Sequence, residues 1–334
     1  MGLFPKYAYL ASPQILFSSW VAISMLVMSQ STTTRVHYPT CPVCGSEAIK
    51  PLFDAMDHTV SQETFSVWGC RSCQARFTQD IPDEAHIGPY YQSDAYISHS
   101  NTSQGLINQL YQRVRRYTLQ QKHKLVRQVS KRKQGRLLDY GCGTGDFAGT
   151  MQLAGWDVLG LEPDSSARKL AAERHDLAVA KSDHLFQLDA DRFDVITMWH
   201  VLEHVHRLHD TLDQLHTVLR PDGVLLVAVP NYQSGDAAHY GENWAAYDVP
   251  RHLYHFSPPA MQCIMEQHGF HVEQYRRMPF DSFYVSLLSE RYQRGRSRLL
   301  VGGWHGLRSF TEALFEPKRC SSVLYVIRPA QATS

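Results

Sequence analysis

The chain has 334 residues, 33 of them Lys or Arg and 32 Asp or Glu, which leaves a formal net charge of +1 at pH 7. This balance excludes a strong overall attraction to nucleic acid or to an anionic membrane. A hydrophobic fraction of 43% is typical of a globular protein, and the length predicts one large domain with a smaller one beside it.

The first segment, residues 1–34, contains an apolar stretch from Ile15 to Met28 that serines interrupt. The stretch is short and polar for a membrane-spanning helix, and no clear small-residue cleavage site follows it. A secretory signal and a weak anchor are two open interpretations. We favour a third, in which Met28 is the true start and the preceding residues are a misassigned extension or a disordered tail. We expect no stable membrane span.

Residues 35–80 carry two C-x-x-C pairs, Cys41 with Cys44 and Cys70 with Cys73. Such paired knuckles, in a chain this long that is not dense in cysteine, are more typical of a metal site than of a disulfide framework. Four thiolates suit tetrahedral zinc with no open position, so we predict a zinc ribbon with a structural Zn²⁺. The alternative is a set of free or redox-active cysteines.

Residues 81–135 are predicted to form a tyrosine-rich loop and then a linker helix from Leu106 to about Lys133. Between Asn101 and Gly135 there are nine Lys or Arg and no Asp or Glu. The helix either binds phosphate groups with this basic face or exposes an ordinary solvated face.

Residues 136–330 begin with a predicted strand, Arg136–Tyr140, that leads into a glycine-rich turn, Gly141–Gly145. A helix and a second apolar run follow, and that run ends in the carboxylate of Glu162. Glycines let the backbone approach a ligand, and a carboxylate at the tip of the second strand can take both ribose hydroxyls of an adenosyl group. The pattern predicts a doubly wound α/β sheet. Its spacing, D-x-G-x-G-x-G from Asp139, differs from the G-x-G-x-x-G of dinucleotide enzymes.

The order of these motifs, from about Arg136 to Pro329, resembles the class I S-adenosylmethionine-dependent methyltransferases. The sheet motifs look closest to the Methyltransferase-23 branch that includes ubiquinone-biosynthesis O-methyltransferases. The resemblance implies a seven-stranded, mostly parallel, Rossmann-like sheet whose last strand runs antiparallel beside the fifth, with S-adenosylmethionine as cofactor. The cofactor-binding residues that it implies are Asp139, Gly141, Cys142, Gly143, Thr144, Gly145, Glu162, Asp183, Trp199 and His200.

The segment after the fourth predicted strand contains His200, Glu203 and His204, which match H-x-x-E-H, the pattern of inverted zinc proteases. That pattern belongs inside a helix, whereas here it stands where a strand leaves toward a helix. We therefore do not predict a peptidase, and we expect Glu203 and His204 to begin the next helix.

Two insertions are predicted, at residues 232–257 and 278–318. The first is rich in aromatic and polar residues and follows the carboxyl edge of the fifth strand, where such sheets bind ligands. The candidate catalytic residues in this region are Asn231, His252 and His255. Either histidine could act as a base, or both could simply pack the insertion, and Arg251 could hold an acidic acceptor. The second insertion is predicted to cover the acceptor site or to form a homodimer contact.

The leading functional prediction is a methyltransferase that acts on an oxygen or carbon of a small-molecule acceptor. It would be cytoplasmic, because the cofactor is supplied there. One alternative is an RNA methyltransferase that grips RNA with the ribbon and the basic helix, although the balanced charge disfavours it. The other is a non-catalytic cofactor-binding or zinc interaction module, which the complete glycine turn disfavours.

Overall fold

The computed structural model describes residues 34–92, 106–278, 281–295 and 299–330. The predictions for residues 1–33 lie outside this range and stay predictions. From Arg35 onward the chain packs as a single unit. The described strands are β1 (Arg35–Val36), β2 (Ile49–Met56), β3 (Thr64–Cys70), β4 (Arg76–Thr78), β5 (Ile81–Pro82), β6 (Arg136–Tyr140), β7 (Asp157–Leu161), β8 (Ala178–Ala180), β9 (Phe193–Trp199), β10 (Leu219–Pro230), β11 (Tyr254–His255), β12 (Phe270–Arg277) and β13 (Ser322–Pro329). The described α-helices are α1 (Leu106–Ser130), α2 (Asp146–Leu153), α3 (Ser165–His175), α4 (Leu208–Val218), α5 (Gly235–Tyr240), α6 (Pro258–Gln267), α7 (Asp281–Arg294) and α8 (Leu299–Phe315).

The larger sheet has seven strands in the order β12-β13-β10-β9-β6-β7-β8. Strands β6 to β10 pair in parallel, whereas β13 is antiparallel to both β10 and β12. The mostly parallel seven-stranded sheet, with an antiparallel strand beside the fifth, is therefore confirmed. The chain leaves β6 toward one edge of the sheet and β9 toward the other, so a crevice lies beyond the carboxyl ends of these two strands.

The central strands are buried, which explains their unbroken apolar runs. In β10 every residue from Val224 to Val229 is buried, and Leu137 and Leu138 of β6 are fully buried. Helices follow most parallel strands and cover the faces of the sheet, as the alternation of strands and helices predicts. The rigid sheet thereby fixes the loops at its carboxyl edge.

The smaller sheet joins two parts of the chain that are far apart in sequence. Its order is β11-β4-β3-β2, where β2 to β4 belong to the predicted zinc ribbon and β11 belongs to the first insertion. Tyr254 pairs with Phe77 and His255 with Arg76 in antiparallel register. The insertion thus completes the ribbon's sheet, so the ribbon is fixed against the domain that holds the larger sheet.

The helices outside the central domain differ in detail from prediction. Helix α1 ends at Ser130 rather than near Lys133, because Lys131 adopts a left-handed φ of 55° that ends the helix. The second insertion consists of α7 and α8, which pack against each other and against α5. None of the described helices is both long and apolar enough to cross a bilayer.

Candidate active site

The glycine turn between β6 and α2 adopts backbone angles that only glycine takes readily. Gly141, Gly143 and Gly145 have φ values of 76°, 54° and 81°. A Cβ atom on Gly141 would lie 2.3 Å from Cγ2 of Val201, so that position also excludes any side chain. A Cβ atom on Gly143 would meet no atom within 4 Å, which leaves open space beside the turn for a ligand.

Glu162 stands directly after β7 and faces this turn. Its Oε2 accepts a hydrogen bond of 2.9 Å from the Gly143 backbone N–H, and its Oε1 accepts one of 3.0 Å from the Asp164 N–H. Burial raises the pKa of Glu162 above its ordinary value. Each carboxylate oxygen has a second lone pair, so the group can still accept hydrogen bonds from a diol.

Asp139 lies near the end of β6 and is almost completely buried. Its Oδ1 accepts a hydrogen bond of 2.6 Å from the Thr197 hydroxyl of β9. Its Oδ2 has no hydrogen-bond partner in the described part of the chain. Burial raises the pKa of Asp139 to about 7, so the site favours a cationic group that would restore the charged carboxylate.

Trp199 ends β9 two residues beyond Thr197, and its ring stacks edge-on against Phe147 at 5.3 Å. The Nζ atom of Lys122, from α1, lies 4.0 Å from the centre of the Trp199 ring. Sequence analysis missed Lys122. The signal for it was its position four residues before Val126 on a helix face that is otherwise apolar.

His200 is held in the left-handed region, with φ of 58°, between two carboxylates. Its Nε2 lies 3.1 Å from Oδ2 of Asp281 in α7, and its Nδ1 lies 3.6 Å from Oε1 of Glu203. Burial alone would lower the pKa of His200, but Asp281 and Glu203 raise it to about 10. This pKa favours the charged imidazolium at neutral pH, and the contact with Asp281 brings the second insertion to the carboxyl end of β9.

Glu203, His204 and His252 form a cluster in which Glu203 and His252 are buried and His204 is half-buried, and one ligand-type atom from each lies within 4.8 Å of the others. Both oxygens of Glu203 lack a hydrogen-bond partner among the residues described. The Nδ1 atoms of His204 and His252 lie 2.9 and 2.8 Å from the Arg251 and Ala246 carbonyl oxygens. A carbonyl only accepts, so each Nδ1 carries the proton and each Nε2 keeps a lone pair.

The environment of His204 favours the neutral imidazole. Burial and the neighbouring His252 lower the pKa of His204 to about 4. Glu203 has the charged His200 beside it at 3.6 Å, and Nε2 of His252 lies 3.9 Å from Oδ2 of Asp248. The three ligand-type atoms of the cluster lie close enough together to accept a proton or hold a divalent metal ion. The expectation that Glu203 and His204 begin the next helix was wrong. They lie in a 3₁₀ turn, Leu202–His204, which directs Glu203 inward.

The sequence matches a known protein family over much of the region that forms the larger sheet. A family model described as a methyltransferase domain matches residues 111–275. Residues 111–275 therefore form a methyltransferase domain of the class I S-adenosylmethionine-dependent type. A ubiquinone biosynthesis O-methyltransferase from Rhodopseudomonas palustris strain BisB5 is 29% identical over 140 residues, which cover 40% of this chain and 55% of that protein. One from Nitrobacter winogradskyi is 34% identical over 101 residues, which cover 29% of this chain and 39% of that protein.

The match to these relatives is partial, since the chain spans about half the length of the curated relatives it matches. Among solved structures, a SAM-dependent methyltransferase from Archaeoglobus fulgidus aligns with a TM-score of 0.45 at 20% identity, over 71% of this chain and all of that one.

The other residues predicted from sequence take different positions in the structure. The Asn231 amide is buried and donates to the Lys318 and Cys320 carbonyls at 2.8 and 3.0 Å, which ties β10 to the segment before β13. His255 is buried with its Nε2 3.1 Å from the Thr78 hydroxyl of the ribbon. Asp183 is exposed in a 3₁₀ turn. Of the three catalytic candidates, His252 alone joins the Glu203 cluster, and the catalytic roles stay predictions.

Arg251 does not hold an acceptor in this arrangement, contrary to the sequence-based suggestion. Its guanidinium donates to Asp57 at 3.0 Å, to Asp248 at 2.6 and 3.0 Å, to the Tyr90 carbonyl at 2.7 Å and to the Thr59 hydroxyl. The side chain is 3% exposed, so it is not available to an acceptor in solvent. Arg251 instead ties the first insertion to the ribbon.

The four ribbon cysteines come together as predicted. The sulfurs of Cys41 and Cys73 are 3.7 Å apart, those of Cys44 and Cys70 are 3.6 Å apart, and all four lie within 4.8 Å of one another. A zinc tetrahedron with bonds of about 2.3 Å has sulfur–sulfur edges of about 3.8 Å. The cluster therefore fits a four-coordinate metal site.

Proposed function

We propose that this methyltransferase transfers the methyl group of S-adenosylmethionine to a hydroxyl oxygen of a small-molecule acceptor. The observation that carries the choice of oxygen is the Glu203–His204–His252 cluster, which is joined to the cofactor edge through His200. A hydroxyl must lose its proton when its oxygen is methylated, and the cluster offers a buried acceptor for that proton. The partial similarity to ubiquinone biosynthesis O-methyltransferases supports the same class of acceptor.

The reaction is an in-line displacement. The cofactor supplies an activated methyl group, the acceptor oxygen forms the new bond to that carbon, and the carbon–sulfur bond breaks to leave S-adenosylhomocysteine. We assign the hydroxyl proton to Nε2 of His252, whose Nδ1–H the Ala246 carbonyl holds in place. The carboxylate of Glu203 then stabilises the imidazolium that forms.

A pair of variants tests the role of His252. In His252→Asn the amide can still donate to the Ala246 carbonyl, but no nitrogen stands at the Nε2 position. We expect turnover of a phenol or catechol acceptor to fall about 10²- to 10⁴-fold, with S-adenosylmethionine binding unchanged. His255→Asn is the matched control and should keep most of the activity. Turnover of His252→Asn within a few-fold of wild type would exclude His252 as the base.

In an alternative mechanism, Glu203, His204 and His252 would bind a divalent cation. It would lower the pKa of the acceptor hydroxyl instead of taking its proton. If added Mn²⁺ or Zn²⁺ stimulates turnover by the wild-type protein but not by Glu203→Gln, the metal-dependent mechanism is supported.

We further propose that the ribbon holds a structural zinc ion through Cys41, Cys44, Cys70 and Cys73. The fit of the four sulfurs to a tetrahedron supports it, and a sheet this small has too little core to fold alone. The proposal predicts one zinc atom per chain by elemental analysis, and a Cys44→Ser variant with less.

The proposal also covers location, oligomeric state and the alternative acceptor. We propose a cytoplasmic reaction, because S-adenosylmethionine is supplied there. Exposed Trp304 and Leu307 on α8 support a homodimer contact on the second insertion. An RNA acceptor is the alternative that the basic residues of α1 would serve, but the β4–β11 pairing engages one edge of the ribbon with the insertion. Tight, salt-sensitive RNA binding in a gel-shift assay would favour RNA.

A further inference from the structure

Lys122 lies on the inner face of α1, outside the predicted domain limits of the methyltransferase. Val126 and Val129, four and seven residues later, are buried on the same face. The helix therefore directs Lys122 inward, where its Nζ lies 4.0 Å from the Trp199 ring centre and 5.9 Å from that of Phe147. A lysine among aromatic rings at the carboxyl edge of the sheet needs an anionic partner.

Some polar atoms near the Lys122 ammonium have no hydrogen-bond partner in the described chain. Asp139 and Asp281 attract it, and burial still lowers the pKa of Lys122 to about 8. The nearer strands hold two more unmatched groups within the described chain, Oδ2 of Asp139 and Nε1 of Trp199. Asp139 contacts Thr197, and Trp199 is two residues further along β9, so its side chain leaves the same face of the sheet.

The crevice therefore presents a carboxylate acceptor, an indole donor and a half-buried cation at one place. An α-amino acid group has the complementary pair, an ammonium and a carboxylate. The methionine end of S-adenosylmethionine carries this pair, and the open glycine turn begins two residues after Asp139. An ammonium beside Asp139 would complete its hydrogen bonds, and a carboxylate beside Lys122 and Trp199 would complete theirs.

We propose that Lys122 binds the α-carboxylate of S-adenosylmethionine, assisted by the Trp199 indole N–H. The inference rests on the proposed cofactor site and adds a residue from the linker helix to it. It makes α1 a wall of the cofactor cleft rather than a spacer between the ribbon and the sheet.

Decarboxylated S-adenosylmethionine, which lacks only the α-carboxylate, separates this role from a general effect on the cleft. Calorimetric titration should show that Lys122→Met weakens S-adenosylmethionine binding about 10- to 100-fold and leaves binding of the decarboxylated form within about twofold of wild type. Lys124→Met, an exposed lysine two residues away on the same helix, should change neither affinity. Lys122→Arg keeps the charge and should keep the preference for the carboxylate.

Two outcomes would overturn the proposal. An equal loss of affinity for both ligands would place Lys122 outside the carboxylate site, and an unchanged affinity would show that it makes no contact. Wild-type protein that binds S-adenosylmethionine, with weaker binding in Glu162→Ala, retains the cofactor site, so a failed Lys122 prediction then refutes only the carboxylate contact. Absence of binding by wild-type protein, or equal binding by Glu162→Ala, would instead refute the cofactor site. Wild-type affinity should also fall above pH 8, where free Lys122 loses its proton.

Discussion

Replacing Arg251 with methionine removes the buried cation that ties the first insertion to the ribbon. Asp57 and Asp248 would then lose their charged partner in an interior site. Breaking a buried ion pair from one side costs roughly 3–5 kcal/mol. Asp57 keeps hydrogen bonds from the Ser61 and Thr59 backbone at 2.8 and 3.0 Å, so we expect the lower end, about 3 kcal/mol.

Equilibrium unfolding in urea measures this loss. With a slope of about 3 kcal/mol/M, the midpoint should fall by about 1 M. The matched control is Arg308→Met, whose partner is Glu312 at 3.2 Å and whose side chain is 69% exposed. An exposed pair of this kind is worth about 0–1 kcal/mol. Equal midpoint shifts in Arg251→Met and Arg308→Met would contradict a large stabilising contribution from the buried Arg251 ion pairs.

The pH dependence of the free energy of unfolding tests the same contacts of Arg251 with Asp57 and Asp248. Burial alone would raise the pKa of Asp57 and Asp248, but hydrogen bonds and the charge of Arg251 hold both below their ordinary values. Carboxylates of this kind stabilise the fold above the unfolded pKa, near 4, and the stability is lost as the pH falls further. The loss of stability on acidification should be smaller in Arg251→Met than in wild type.

Three further predictions concern other parts of the molecule. Gly141→Ala should abolish S-adenosylmethionine binding and destabilise the fold by over about 1 kcal/mol, because φ is positive and Val201 is too close; unchanged binding by calorimetry would contradict this. Chelation of zinc should lower the rate of methyl transfer more than it lowers the affinity for the cofactor, because Thr78 of the ribbon contacts His252 in the insertion. Equal losses of rate and of affinity would contradict this prediction. His200, whose pKa is raised to about 10, should stabilise the fold at pH 7 and lose this effect as the pH rises through 10; a His200→Gln variant with the same pH dependence in urea unfolding would exclude it.

Sequence was sufficient to predict the central sheet because its signals are local. The apolar runs of β6 and β10 belong to strands that are buried on both faces. The turn Gly141–Gly145 needs positive φ values, and the spacing of its glycines indicates where they occur. Glu162 followed from the same logic, since it comes directly after β7. The four ribbon cysteines carry their own spacing, and folding brings them within bonding distance of one ion.

The parts that sequence did not predict depend on contacts between distant segments. Strand β11 has only two residues, and its pairing with β4 joins positions about 177 apart. Lys122 looked like one more charge on a basic helix until the sheet placed Trp199 against it. Arg251 suggested an acceptor site because the ribbon loop that satisfies its donors lies 194 residues away at Asp57.

The most direct test of the account is calorimetric titration of S-adenosylmethionine into the wild-type protein and a Glu162→Ala variant. Two hydrogen bonds from ribose hydroxyls to a carboxylate predict at least about a tenfold loss of affinity in the variant. Glu173→Ala, an exposed glutamate on α3, should bind like wild type. Absence of binding by folded wild-type protein, or equal binding by all three, would contradict the assignment of the cofactor site.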